Sequence, residues 1–191
     1  MNGMASKQSL KYVCVAVFLG AAALAASAQA PAPSGPPAPS PELGKLAFFA
    51  GDWTCKGKAE ASPMGAEHAT TAKVHIAKGI GGFWYVGTYT ETKTKANPHP
   101  MVFHFLQGYD GAAKVFTEFC FDAFGGHCQQ TSPGWDGDKI VFTGEVAGSP
   151  ATPVRDTYTK TGAASLEHMG EMQADGKWVT TDRETCTRAK R

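Results

Sequence analysis

From Gly51 to the C-terminus, apolar and polar residues alternate in short runs, broken every 8 to 14 residues by Gly, Pro, Asn and Asp. That pattern predicts half-buried strands. The runs are 52–59, 67–78, 82–93, 101–109, 113–122, 126–132, 138–146, 153–160, 164–173 and 177–188. In the fifth, Val115, Thr117, Phe119 and Phe121 share a face opposite Phe116, Glu118, Cys120 and Asp122. In the seventh, Ile140, Phe142 and Gly144 oppose Val141, Thr143 and Glu145. Only Glu42 to Phe49 departs from a period of two. There Leu43, Leu46 and Phe49 have helical spacing and predict one short helix.

The breaks carry turn chemistry. Tyr109-Asp110-Gly111, Ala123-Phe124-Gly125, Trp135-Asp136-Gly137 and Ala174-Asp175-Gly176 each place glycine where a hairpin wants positive φ. About ten strands in sequence, joined by hairpins and with no crossover helix, predict an all-β, up-and-down antiparallel barrel. Closure removes the exposed strand edges that an open sandwich, the alternative, would keep.

Certain short motifs fit the same picture. Phe48-Phe49-Ala50-Gly51-Asp52-Trp53 resembles the start of a calycin, a helical turn followed by Gly-x-Trp at the opening of the first strand. Gly81-Gly82-Phe83-Trp84-Tyr85, Gly108-Tyr109-Asp110, Phe121-Asp122-Ala123-Phe124-Gly125-Gly126, Arg155-Asp156-Thr157-Tyr158 and Asp175-Gly176-Lys177-Trp178 follow in order. The series resembles a bacterial lipocalin-like family known as domain of unknown function 1579, over about 42–188. The resemblance implies a calycin-type barrel and brings no activity with it, because fold alone does not define function.

Four cysteines lie in this domain, Cys55, Cys120, Cys128 and Cys186, without the Cys-x-x-Cys spacing of a metal site. A three-residue loop Ala123-Phe124-Gly125 sets Asp122 opposite Gly126 and therefore Cys120 opposite Cys128. The remaining pair, Cys55 and Cys186, joins the first strand to the last, which are antiparallel neighbours in an even-stranded barrel. That register also sets Trp53 opposite Arg188. The calycin resemblance implies the same contact, an arginine from the end of the barrel stacked over this tryptophan.

The N-terminus changes the picture from domain to compartment. Lys7 and Lys11 precede the apolar run Tyr12 to Ala26, and Ala26-Ser27-Ala28 supplies a small-x-small cleavage site. Residues 1–28 read as a signal peptide, about 15 apolar residues being short of the roughly 20 that span a bilayer. Cys14 lies inside the apolar run, which argues against a lipid anchor. Residues 29–41, with six prolines between Pro31 and Pro41, read as an extended spacer. The barrel domain is then 42–188 and the tail 189–191. The chain is expected to be exported, periplasmic or secreted, with no membrane span once the signal is removed and disulfides in place. A net charge of +1, from 18 basic and 17 acidic residues without a basic stripe, argues against nucleic acid as a partner.

No nucleophile–base arrangement and no Gly-rich phosphate loop is present, so the sequence assigns no catalytic residue and no metal ligand. The expected function is binding of a small hydrophobic or amphipathic molecule inside the barrel. Phe83, Tyr85, Phe103, Phe105, Phe119 and Phe142 are the candidate lining residues. A three-residue turn at Ala174-Asp175-Gly176 would set Met172 opposite Trp178 and His168 opposite Asp182, a His–carboxylate pair able to orient a ligand or act as a base. A two-residue turn would shift the register by one and separate them. The competing readings are a filled barrel serving structure or interaction, a haem barrel ligated by His168 or His104, and a weak hydrolase or isomerase using His168. Nothing in the pattern specifies an oligomeric state.

Overall fold

The computed structural model describes residue 35 and residues 37–62, 66–148 and 151–189. The expected signal peptide, most of the linker and the last two residues lie outside them. Eleven strands follow one another: β1 Gly51–Ala59, β2 His68–Gly79, β3 Trp84–Glu91, β4 Val102–Asp110, β5 Val115–Asp122, β6 His127–Ser132, β7 Trp135–Asp136, β8 Lys139–Val146, β9 Thr152–Gly162, β10 Ser165–Ala174 and β11 Lys177–Arg188. Each pairs antiparallel with its neighbour in sequence, except that β6 passes over β7 to pair with β8. The β1–β11 pairing joins the chain ends, so ten strands close into a barrel. The short β7, unexpected from the pattern, is a two-residue ladder on β8.

Both disulfides sit across neighbouring strands. Cys120 faces Cys128 and is bonded to it; Cys55 faces Cys186 and is bonded to it. The loop between the first pair turns as expected, with the Asp122 N–H donating to the Gly126 carbonyl at 3.0 Å and Gly125 at φ +89°. At the β4–β5 connection the left-handed residue is Lys114 rather than Gly111. The Asp110 carboxylate accepts from the N–H groups of Ala112 and Ala113, which sets the turn geometry there.

The β1–β11 register places Trp53 opposite Arg188. The Arg188 guanidinium lies 4.5 Å from the Trp53 ring centre and donates to the Phe48 carbonyl. That carbonyl belongs to the predicted helix, here a 3₁₀ helix over Pro41–Phe49 capped by Ser40. With three residues per turn, Leu43, Leu46 and Phe49 fall on one stripe, and all three are buried. The Trp53 indole N–H donates to the Phe49 carbonyl at 2.8 Å, so the helix is fastened over one end of the barrel.

The last hairpin corrects the expected register. Asp175 and Gly176, both at positive φ, make a two-residue turn with Ala174 facing Lys177 and Gln173, not Met172, facing Trp178. A bulge then inserts Thr181 into β11, so that Gly170 faces Asp182 and His168 faces Glu184.

Candidate functional site

The disulfide cysteines point into the barrel, and the period of two carries their faces along each strand. From Cys120 and Cys128 this puts Glu118 and Gln130 inside; from Cys186 it puts Glu184 inside, with all three buried. The interior is therefore polar at its centre. Tyr85, Phe105 and Phe142 are buried with the core, and half-buried Phe103 stacks on Tyr89 at 4.8 Å. Two expected lining residues are elsewhere. Phe119 alternates out of the barrel and packs against Trp84 at 6.0 Å, because β5 buries the face that carries Glu118. Phe83 precedes β3 at the end of a tight turn and is 37% exposed.

His168 is the hub. Its Nε2 lies 2.9 Å from Asp156 Oδ1 and its Nδ1 lies 3.1 Å from Asp182 Oδ1, while its ring rests on Tyr158 at 4.8 Å. The His168–Asp182 pair thus forms by a route the sequence reading excluded, since a two-residue turn was expected to part them. The bulge brings Asp182 back onto the inner face, diagonal to His168, and Gly170 leaves the room for it. A Cβ built at position 170 would meet Asp182 Oδ2 at 2.4 Å.

A ring nitrogen donates to a carboxylate only when it carries a proton, so two carboxylate partners favour the imidazolium. Burial pulls the His168 pKa down, but the charge of Asp182 and the hydrogen bonds that the ring donates to both aspartates outweigh it and hold it well above its ordinary 6.5. The same pairing, against burial, keeps Asp182 below its ordinary value. Replacing Gly170 by Ala should displace the Asp182 carboxylate. The His168 pKa is then expected to fall towards its ordinary value, with about 1–3 kcal/mol lost from folding. An NMR titration of the imidazole checks this, and an unchanged titration would rule the diagonal contact out.

Two more carboxyls complete the cluster. Glu184, opposite His168, accepts from the Thr70 hydroxyl at 2.7 Å and the Tyr89 hydroxyl at 2.9 Å, and burial pushes its pKa up. Glu118 stands in the middle of a row that runs from Gln107 on β4 through β5 to Gln130 on β6. Gln107 Nε2 donates to Glu118 Oε2 and Gln130 Nε2 donates to Asp156 Oδ2, each at 2.6 Å. Burial, with the charge of Asp156 added, raises the Glu118 pKa to about 7. The other atom of each amide, Oε1 of Gln107 and Oε1 of Gln130, is buried without a hydrogen-bond partner.

The histidines discriminate between the expected chemistries. His104 lies on the outer wall, exposed and 3.0 Å from the Thr88 hydroxyl, and so cannot face a ligand inside the barrel. With both ring nitrogens of His168 committed to aspartates, no lone pair is left for iron or for a substrate proton. The residues present therefore do not fit a haem ligated by either. Cys55, Glu184 and Cys186 lie close together, but their sulfurs are bonded to each other and offer nothing to a metal. Two open depressions, of about 380 Å³ beside Trp135 and Lys160 and about 300 Å³ beside Trp53 and His75, include none of the cluster.

No family model and no curated protein sequence matches the chain. The barrel itself has a solved counterpart. The crystal structure of Rv2717c from M. tuberculosis aligns with a TM-score of 0.60 at 15% identity, covering 80% of this chain and 100% of that one. A redesigned beta barrel aligns at a TM-score of 0.41 and 10% identity over 76% of this chain and 96% of its own. At 15% identity the likeness to Rv2717c concerns the fold alone. Asp156, Tyr158, Glu118, Gln107, Gln130 and Glu184 were not singled out from sequence as site residues. The signal available for Glu118, Gln130 and Glu184 was their spacing of two from the bonded cysteines.

Proposed function

We propose that this is an exported binding protein whose barrel holds a small amphipathic molecule. Its polar group would meet the His168–Asp156–Glu118 cluster, and its apolar part would lie along Tyr89, Phe103 and Phe105. The observation that carries the reading is the buried cluster itself. Stability alone does not call for it, since a well-packed apolar centre serves as well or better than buried charges. Two buried amide oxygens without partners add a desolvation cost that a bound molecule would offset. Export is supported by the expected signal peptide and by two disulfides, which persist in oxidising compartments. No helix among the described residues is long and apolar enough to cross a membrane.

Binding is favoured over catalysis because the doubly engaged His168 has no free base. The test adds 1-octanol, octylamine or octanoate, one at a time, to the ¹⁵N-labelled mature protein. At least one is expected to shift the amides around residues 103–107 and 168, and native mass spectrometry of protein from its own host should show a small molecule carried through purification. Silence with all three probes, together with a bare mass, would leave the filled barrel as the answer.

A further inference from the structure

The inner wall of the barrel is unbalanced in both charge and hydrogen bonding. Four carboxyls face the cluster, Glu118 from β5, Asp156 from β9, and Asp182 and Glu184 from β11. One imidazole answers them, His168 from β10, and the phenols of Tyr89 and Tyr158 stand alongside. Arg188 is engaged elsewhere, with Phe48 and Trp53 at the helix-covered end. The two amides on β4 and β6 deepen the imbalance. Gln107 and Gln130 are 1% and 3% exposed. Each gives one of its two N–H groups to a carboxylate of the cluster, so each is aimed into it, and the oxygen of each is an acceptor without a partner.

We infer that the group recognised here is a primary ammonium, held by Gln107 Oε1, Gln130 Oε1 and the Glu118 carboxylate. The inference rests on the binding reading above and names the chemistry of the ligand. An ammonium carries three N–H donors and no acceptor, which matches two amide oxygens and a carboxylate. A hydroxyl has one proton and leaves an oxygen unpaired. A carboxylate or phosphate head would bring negative charge to a site that already holds an excess of it. The alkyl part of the amine would lie against Tyr89, Phe103 and Phe105.

In the free protein, a proton on Glu118 can bond to one of the two amide oxygens but not to both. An incoming ammonium takes the place of that proton, so binding releases it to solvent and tightens as pH rises through the range where Glu118 titrates. The groups facing Glu118 are the amides of Gln107 and Gln130 from β4 and β6, Asp156 and Tyr158 from β9, and His168 from β10.

Titration calorimetry of the mature protein with octylamine, 1-octanol and octanoate tests this. At pH 8, octylamine should bind roughly tenfold or more tighter than octanol, with octanoate weakest. The amine preference should shrink at pH 5.5, and heats in buffers of different ionisation enthalpy should report a proton released at pH near 7. The double variant Gln107→Met with Gln130→Met should bind octanol as before and lose the preference for the amine. Equal affinity for amine and alcohol in the native sequence would overturn the inference while leaving the binding function standing, and would mean that the amide oxygens are satisfied by water. That comparison decides the matter even if the double variant fails to fold. A preference that survives in the folded double variant would also overturn it. Failure of all three probes would remove the binding function and this inference together.

Discussion

Replacing Cys55 and Cys186 together by Ser is expected to lower the melting temperature by roughly 10–20 °C, about twice the effect of replacing Cys120 and Cys128. The difference lies in the chain each bond encloses. Cys55 and Cys186 are 131 residues apart in sequence, whereas Cys120 and Cys128 are 8 apart. In the loop-closure picture those separations correspond to about 5 and about 2–3 kcal/mol of denatured-state entropy. The native contexts widen the gap. The short bond spans a hairpin already set by Gly125 and the Asp122–Gly126 hydrogen bond. The long one spans the seam where β1 meets β11, and with that seam go the Trp53–Arg188 stack and the fastening of the 3₁₀ helix. Both pairs face inward, so each double variant buries two hydroxyls and that cost largely cancels in the comparison. Calorimetric melting of the two double-Ser proteins checks the ranking, and equal or reversed losses would show that loop length does not govern stability here.

Glu118→Gln is expected to make the protein more stable than the native sequence at pH 8, by about 3 kcal/mol, and to leave the two level near pH 4.5. Burial raises the Glu118 pKa from 4.5 to about 7. For an acid whose folded pKa is raised, the folded state binds the proton more tightly. Its contribution is fully present below pH 4.5 and is lost as pH rises to about 7. Glu184, also raised by burial, acts in the same direction. His168 adds to it: its raised pKa gives stability fully present below its ordinary 6.5 and lost as pH climbs through the higher folded value. Asp182 runs the other way. Its lowered pKa supports folding above the ordinary 3.8 and is lost only as pH falls below that. Stability should therefore peak in mildly acidic solution, near pH 4–5, and decline towards pH 8. In Glu118→Gln, the Gln side chain is never charged and removes the Glu118 share of that decline. Urea unfolding at pH 4.5 and pH 8 measures both proteins. A native stability that is flat between those values would refute the account of Glu118.

The strands, their order and both disulfide registers were legible in the sequence because they are local or pinned by local features. A period of two, a glycine at a left-handed turn and a cysteine spacing fixed by that turn do not depend on the rest of the molecule. Even the 3₁₀ helix announced itself through the spacing of Leu43, Leu46 and Phe49. The inward face of β5 was misjudged for a reason that lies in the same pattern. The face with Val115, Thr117, Phe119 and Phe121 is the more apolar, yet the barrel buries Phe116 and Glu118, with half-buried Cys120 on the same face, and the carboxyl finds its partner on β4. Apolarity predicts the buried face only where the interior is apolar. The His168–Asp182 pair shows the limit from the other side. Its two-residue turn was one of the alternatives the sequence allowed, but the bulge at Thr181 that restores the contact leaves no mark in the alternation. Nor could spacing bring Thr70 and Tyr89 to Glu184, because those contacts cross the β1–β11 seam and exist only after ten strands have closed. Periodicity tells each strand which residues share a face. Closure decides which faces meet, and in this barrel it sets four carboxyls and two amides around one histidine.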